Sequence, residues 1–113
     1  MGADGQHVAA EISATEAIER VAGNDWMLDV REQYEWDRGH APDAHLIPMS
    51  MLEQRIAEIP EDVPLIVVCQ SGYRSWTVTK ALVAAGYDAV NVTGGMDAWQ
   101  SAGGVVVLDG APA

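Results

Sequence analysis

A single cysteine, Cys69, and an arginine five positions after it, Arg74, stand in the stretch Val63 to Ser75, VPLIVVCQSGYRS. The chemistry open to such a pair is that of a thiolate. The apolar run Leu65 to Cys69 is short and β-branched at Ile66, Val67 and Val68, which predicts a strand buried on both faces. It stops at the thiol, passes through Gln70, Ser71, Gly72 and Tyr73, and enters a helical pattern that begins near Ser75. A cysteine at the carboxyl end of a central strand lies where open α/β sheets form their ligand crevice.

If the loop is as tight as its length demands, the amides of Gln70 to Ser75 converge on the sulfur, joined by the unsatisfied N–H groups of the helix start. Such a ring stabilises negative charge at its centre. Cysteine pKa values at helix N-termini fall to about 3.5–7.5, and an oxyanion or an anion carried on the sulfur would meet the same donors. The bland alternative is an inert, buried cysteine acting as a small hydrophobe. Gly72, which tolerates positive φ, the fixed cation of Arg74 and the strand-end position favour the reactive role. Arg74 itself either orders the loop by donating to carbonyls or a carboxylate, or touches substrate; five rigid donors suit the first better. Asp29 and Arg31 also end a predicted strand, and a structural ion pair or helix-start contact, with Glu35 four residues beyond Arg31, suits them better than catalysis.

The elements that must hold these groups alternate. Ser13 with Glu16 forms a capping-box pattern ahead of Ala14, Ala17, Ile18 and Val21, and Gly23-Asn24 stops that helix. Strands are expected at Trp26 to Val30, His45 to Ile47, Leu65 to Cys69 and Ala89 to Thr93. A short helix or turn is expected within Glu32 to Arg38, and a short helix from Met96 to Ala102. Ser50 with Glu53 is a second capping-box pattern, with Leu52, Ile56 and Ile59 as its apolar stripe, and Val78, Ala81, Leu82 and Ala85 lead to a cap at Gly86. Val105 to Leu108 is expected to pack as an extended piece. Strand–helix alternation predicts a three-layer α/β domain with a mostly parallel sheet of four or five strands. The expected organisation is a flexible segment over residues 1–10, a domain over 11–108 and a tail over 109–113.

Composition narrows the function classes. The 113 residues suffice for one domain. A lone cysteine allows neither an intramolecular disulfide nor a CxxC site, and it points to a reducing compartment, the cytoplasm. No signal-peptide pattern and no apolar run of membrane-spanning length is present. Seventeen acidic against six basic residues give a net charge of −11, which disfavours nucleic acid and anionic membranes as partners. Salt screens such charge beyond roughly 8 Å, so a local amide ring still outweighs the global field. Three scattered histidines and one cysteine lack metal-ligand spacing, so no metal is expected. His45 and Trp26 read as packing residues, Trp99 as core, and Trp36 and Trp76 as core or rim of a pocket.

The loop CQSGYRS resembles the active-site loop of the rhodanese (sulfurtransferase) family. Asp29 to Pro48, DVREQYEWDRGHAPDAHLIP, is similar to that family's segment with Asp-x-Arg at a strand end and Gly-His before a proline, and Gly94 to Trp99, GGMDAW, is similar to its glycine pair followed by Ala-Trp. The three matches keep the family's order across most of residues 12 to 104. The resemblance implies a doubly wound sheet of five largely parallel strands, with Cys69 as the nucleophile and Gln70, Ser71, Gly72, Tyr73, Arg74 and Ser75 as the loop around substrate and persulfide. Asp29, Arg31 and His40 are implied supports, His40 through a turn-fixing hydrogen bond. The implied activity moves a sulfane sulfur from thiosulfate or a persulfide donor, small or protein-bound, to cyanide or a thiol, by a ping-pong route that needs no cofactor. Two residues depart from the family pattern. Many active members carry arginine directly after the cysteine, where Gln70 stands here, which predicts that thiosulfate is a poor donor; Asp43-Ala44 replaces a Gly-Ala after Pro42. A phosphatase or arsenate reductase of similar fold would need five residues between Cys and Arg, and this loop has four, Gln70 to Tyr73. A non-catalytic binding module is the other alternative.

Overall fold

In the computed structural model, which describes residues 8–108, strands and helices alternate as β1 (Ala10–Ile12), α1 (Ala14–Ala22), β2 (Trp26–Asp29), α2 (Gln33–Trp36), β3 (Ala44–Leu46), α3 (Leu52–Arg55), β4 (Leu65–Val68), α4 (Tyr73–Ala84), β5 (Ala89–Val92) and α5 (Gly95–Ser101). Two 3₁₀ turns, Met49–Met51 and Ile56–Glu58, flank α3. All four pairings in the sheet are parallel, in the order β1-β5-β4-β2-β3. The expectations for residues 1–10 and 109–113 fall largely outside the described residues.

β4 is the centre because its sequence leaves no polar face: all four of its residues are fully buried. Its alternation sorts two cores. Leu65, Val67 and Cys69 pack with Val78 and Leu82 of α4, while Ile66 and Val68 pack with Ala17 and Val21 of α1 and Met96 and Trp99 of α5. Helices therefore cover both faces, giving three layers. From β2 the chain moves outward to β3, and from β4 it moves outward in the opposite direction to β5. The direction of winding reverses between β2 and β4, where doubly wound sheets open a crevice at their carboxyl ends. Cys69 follows β4, and Asp29 ends β2 in register with Val68.

Ser13 caps α1 as its pattern predicts, accepting from the Glu16 amide at 3.1 Å. Ser50 does not cap a helix. It lies inside a 3₁₀ turn and its hydroxyl donates to Glu32 at 3.2 Å, so the expected single helix is broken into α3 and two turns, with Ile56 outside the core and Ile59 inside it. β1 is an edge strand that the sequence pattern does not announce. The C-terminal piece does pack as extended chain: His40 and Val107 exchange backbone hydrogen bonds of 2.9 and 2.8 Å.

Candidate active site

Between β4 and α4 the chain turns through Gly72 at φ +111°, a left-handed conformation that glycine adopts without strain. That turn aims the Gly72 N–H at Cys69 Sγ, 3.1 Å away, and one helical turn later the buried Ser75 hydroxyl donates to the same sulfur at 3.2 Å. Burial, with 1% of Cys69 exposed, pushes the thiol pKa up. The Ser75 hydroxyl and the amides of Ser75, Gly72 and Ser71 pull it down and prevail, so the thiol titrates below its ordinary range. Ser75→Ala removes one donor to a charged acceptor, so alkylation by iodoacetamide at neutral pH is expected to slow about tenfold; an unchanged rate would remove Ser75 from the thiolate's support.

Arg74 is held by a carboxylate. Its Nη1 and Nη2 donate to Oε1 and Oε2 of Glu35, both at 2.7 Å, a bidentate fork joining α4 to α2 across the loop. Glu35 also accepts from the Glu32 amide at 3.0 Å. The Arg74 guanidinium holds the Glu35 carboxyl down at about 2. Its folded value is depressed, so the stability it contributes is present above the ordinary carboxylate range near pH 4.5 and is lost as pH falls toward 2. Arg74 is more than a third exposed and screened, so the contribution is about 1–2 kcal/mol. Urea denaturation at pH 6 and pH 3 is expected to show that loss, and Arg74→Met to reduce it; an equal loss in the variant would assign it to other carboxylates.

Arg31 is a scaffold residue. It is buried, and each of its three side-chain nitrogens is engaged: Nε and Nη2 on Asp29 at 3.0 and 2.8 Å, Nη2 also on the Gly39 carbonyl at 2.9 Å, and Nη1 on Gln70 Oε1 at 3.0 Å and the Glu35 carbonyl at 3.3 Å. It thus ties the end of β2 to α2, to the glycine before His40 and to the residue after the cysteine. Gln70 in turn donates to Asp97 at 2.7 Å. α5 grips the same loop through its backbone: Met96 N–H donates to the Cys69 carbonyl at 2.8 Å and Asp97 N–H to the Gln70 carbonyl at 3.1 Å. Gly95 permits this approach, since a Cβ there would overlap the Cys69 carbonyl oxygen and come within 2.7 Å of the Gln70 carbonyl carbon.

The remaining sequence-predicted residues divide between loop and frame. Ser71 and Tyr73 line a cavity of about 370 Å³ with Gly72, Trp76, Thr93 and Glu11, and Tyr73 stands out into solvent. On the other side of the loop, a cavity of about 300 Å³ is lined by Gln70, Tyr34, Arg38 and Gln100. His40 is buried, its ring stacked on Trp36 at 3.6 Å with Nδ1 3.0 Å from the Ala41 carbonyl. Trp76 rims the first cavity, whereas Trp36 packs on His40 and Trp26 on His45. The turn at Asp43-Ala44 closes through Ala44 N–H on the Ala41 carbonyl at 3.1 Å.

Four residues at the site escaped sequence reasoning in these roles: Glu35 as the partner of Arg74, Asp97, Gly95 and Asn91. Asn91 is buried mid-strand in β5, where its Nδ2 donates to the Gly72 carbonyl at 3.3 Å and to Glu11 at 2.8 Å. The glycine pair before α5 was the one local signal for any of them.

The Rhodanese-like domain family matches residues 13–102, spanning all of these contacts except those of Glu11 and the C-terminal piece. The chain belongs to the rhodanese family. Among the relatives of this rhodanese domain, the putative sulfurtransferase YtwF of Bacillus subtilis is 35% identical over 92 residues, covering 80% of this chain and 89% of that protein. A sulfurtransferase of Allochromatium vinosum is 36% identical, with 79% and 86% covered. A rhodanese-related protein from Thermoplasma volcanium superposes with a TM-score of 0.83 at 31% identity, covering 88% of this chain and 99% of that one. These matches extend over most of the length of each relative.

Proposed function

We propose that this rhodanese domain is a sulfurtransferase that carries sulfur on Cys69. In the first half-reaction the Cys69 thiolate attacks the sulfane sulfur of a donor, thiosulfate or a persulfide. The donor's S–S bond breaks, and sulfite or a thiolate leaves with the electron pair. In the second, cyanide or an acceptor thiolate attacks the outer sulfur and Cys69 leaves as the thiolate, which gives ping-pong kinetics. The persulfide is an anion one atom beyond the thiolate, within the same field of donors.

The observation that carries this reading is the convergence of the Gly72 N–H and the Ser75 hydroxyl on Cys69 Sγ. That the cysteine is almost fully buried suits reactants ending in a single slender atom, as a sulfane sulfur, cyanide or an alkyl thiolate does. The four-residue spacing from cysteine to arginine makes a smaller ring than a phosphate requires. A low-pKa thiol of this kind suits a reducing compartment such as the cytoplasm, and among the described residues no helix is long and apolar enough to cross a membrane.

Incubation with thiosulfate or a low-molecular-weight persulfide, followed by intact mass measurement, is expected to show one added sulfur atom that cyanide or a thiol then removes. No adduct with any donor would leave the domain as a binding module.

A further inference from the structure

Arg38 lines the cavity beside Gln70 with its guanidinium 5.7 Å from the Tyr34 ring centroid, and the two other arginines near the loop are each paired with a carboxylate. Arg74 is neutralised by Glu35 and Arg31 by Asp29. Asp97 is different: its carboxylate is exposed, has no cationic partner among the described residues, and sits 2.7 Å from the side-chain amide of the residue directly after the nucleophile. Two further contacts fix it there. Its own N–H is bonded to the Gln70 carbonyl, and Gln70 Oε1 is bonded to buried Arg31, so neither end of the Asp97–Gln70 link can swing away freely.

We propose that Asp97 is a specificity-determining residue that selects sulfur donors by charge, disfavouring the dianion thiosulfate against donors of lower negative charge. The inference rests on the sulfurtransferase reading and adds to it the class of substrate the site prefers. Gln70 supplies no cation to offset the carboxylate, because its amide is already committed at both ends. An approaching donor meets a fixed negative charge beside the loop, and its repulsion scales with the donor's own charge. At about 8 Å in water, and at an ionic strength low enough that salt does not screen it, one unit charge costs a dianion about fivefold and a monoanion about twofold. A persulfide whose neighbouring groups are neutral or basic, on a small molecule or at the surface of another protein, escapes this penalty.

Thiosulfate and the methanethiosulfonate anion test this, since both give up a sulfane sulfur to the Cys69 thiolate, with sulfite or methanesulfinate leaving with the electron pair. The rate of sulfur addition to Cys69, followed by intact mass, is measured for each donor. Asp97→Asn keeps an oxygen that can accept from Gln70 while removing the charge. At low ionic strength it is expected to accelerate loading about fivefold from thiosulfate and about twofold from the monoanion, and to flatten the rise of the thiosulfate rate with added salt. Asp97→Glu, which retains the charge, is expected to keep the wild-type ratio. Glu19→Gln removes an equal charge from the exposed face of α1 and is expected to change neither rate. Equal acceleration of both donors by Asp97→Asn, or the same discrimination from Glu19→Gln, would overturn the inference while persulfide formation still stood. Failure of every protein to take sulfur from either donor or from a low-molecular-weight persulfide would overturn the sulfurtransferase reading, and this inference with it.

Discussion

Cys69→Ser is expected to abolish sulfur transfer outright: no added sulfur atom by intact mass from any donor, and no turnover with cyanide or a thiol. In the proposed mechanism both half-reactions pass through one atom, and a hydroxyl in its place neither ionises near neutral pH nor forms a persulfide, so no partial activity is expected. The fold is expected to survive. Cys69 closes the α4-side core beside Leu65 and Val67 rather than bridging elements, and the Gly72 amide and Ser75 hydroxyl that face its sulfur can donate to an oxygen instead. A change in stability within about 1 kcal/mol fits a substitution of this size. Thermal unfolding alongside the mass measurement separates loss of chemistry from loss of structure. Persistent transfer by a folded Cys69→Ser protein would remove the nucleophile from this cysteine.

The loop was readable before any coordinates because its information is local. Four apolar residues, a thiol, a glycine and a helical repeat specify strand, turn and helix through periodicity and backbone permissiveness alone. What holds the loop was not readable, because it arrives from other parts of the chain. Glu35 lies 39 residues before Arg74, and Asp97 27 residues after Gln70, separations at which spacing says nothing about contact. Asn91 falls inside the strand expected at Ala89 to Thr93, and only the sheet order shows its amide under the Gly72 carbonyl. β1 failed for a different reason: it is three residues long, partly exposed and at the edge, so it has neither an apolar run nor an alternation long enough to register, and pairing with β5 alone defines it. The pattern at Ser50 and Glu53 misled because the same serine hydroxyl can satisfy a helix start or a carboxylate on another element, and here Glu32 of the α2 region is within its reach.

Asp29→Ala is expected to be the most destabilising change around the site, costing about 3–5 kcal/mol. Both partners of this ion pair are buried, and Asp29 accepts from Nε and Nη2 of Arg31 as well as from its backbone N–H. Removing the carboxylate leaves the guanidinium in the interior with only neutral acceptors: the carbonyls of Gly39 and Glu35 and the Gln70 amide oxygen. Against the roughly 5–15 kcal/mol that hold a domain together, this is enough to leave much of the protein unfolded near physiological temperature. Asp29→Leu combined with Arg31→Met removes the stranded charge as well, so the pair of changes is expected to cost markedly less than Asp29→Ala alone. Urea denaturation of the three proteins distinguishes the cases. A loss below about 1 kcal/mol for Asp29→Ala would mean that the guanidinium finds water or another carboxylate, and Arg31 would then no longer count as the fixed post on which Gln70, the residue after Cys69, is held.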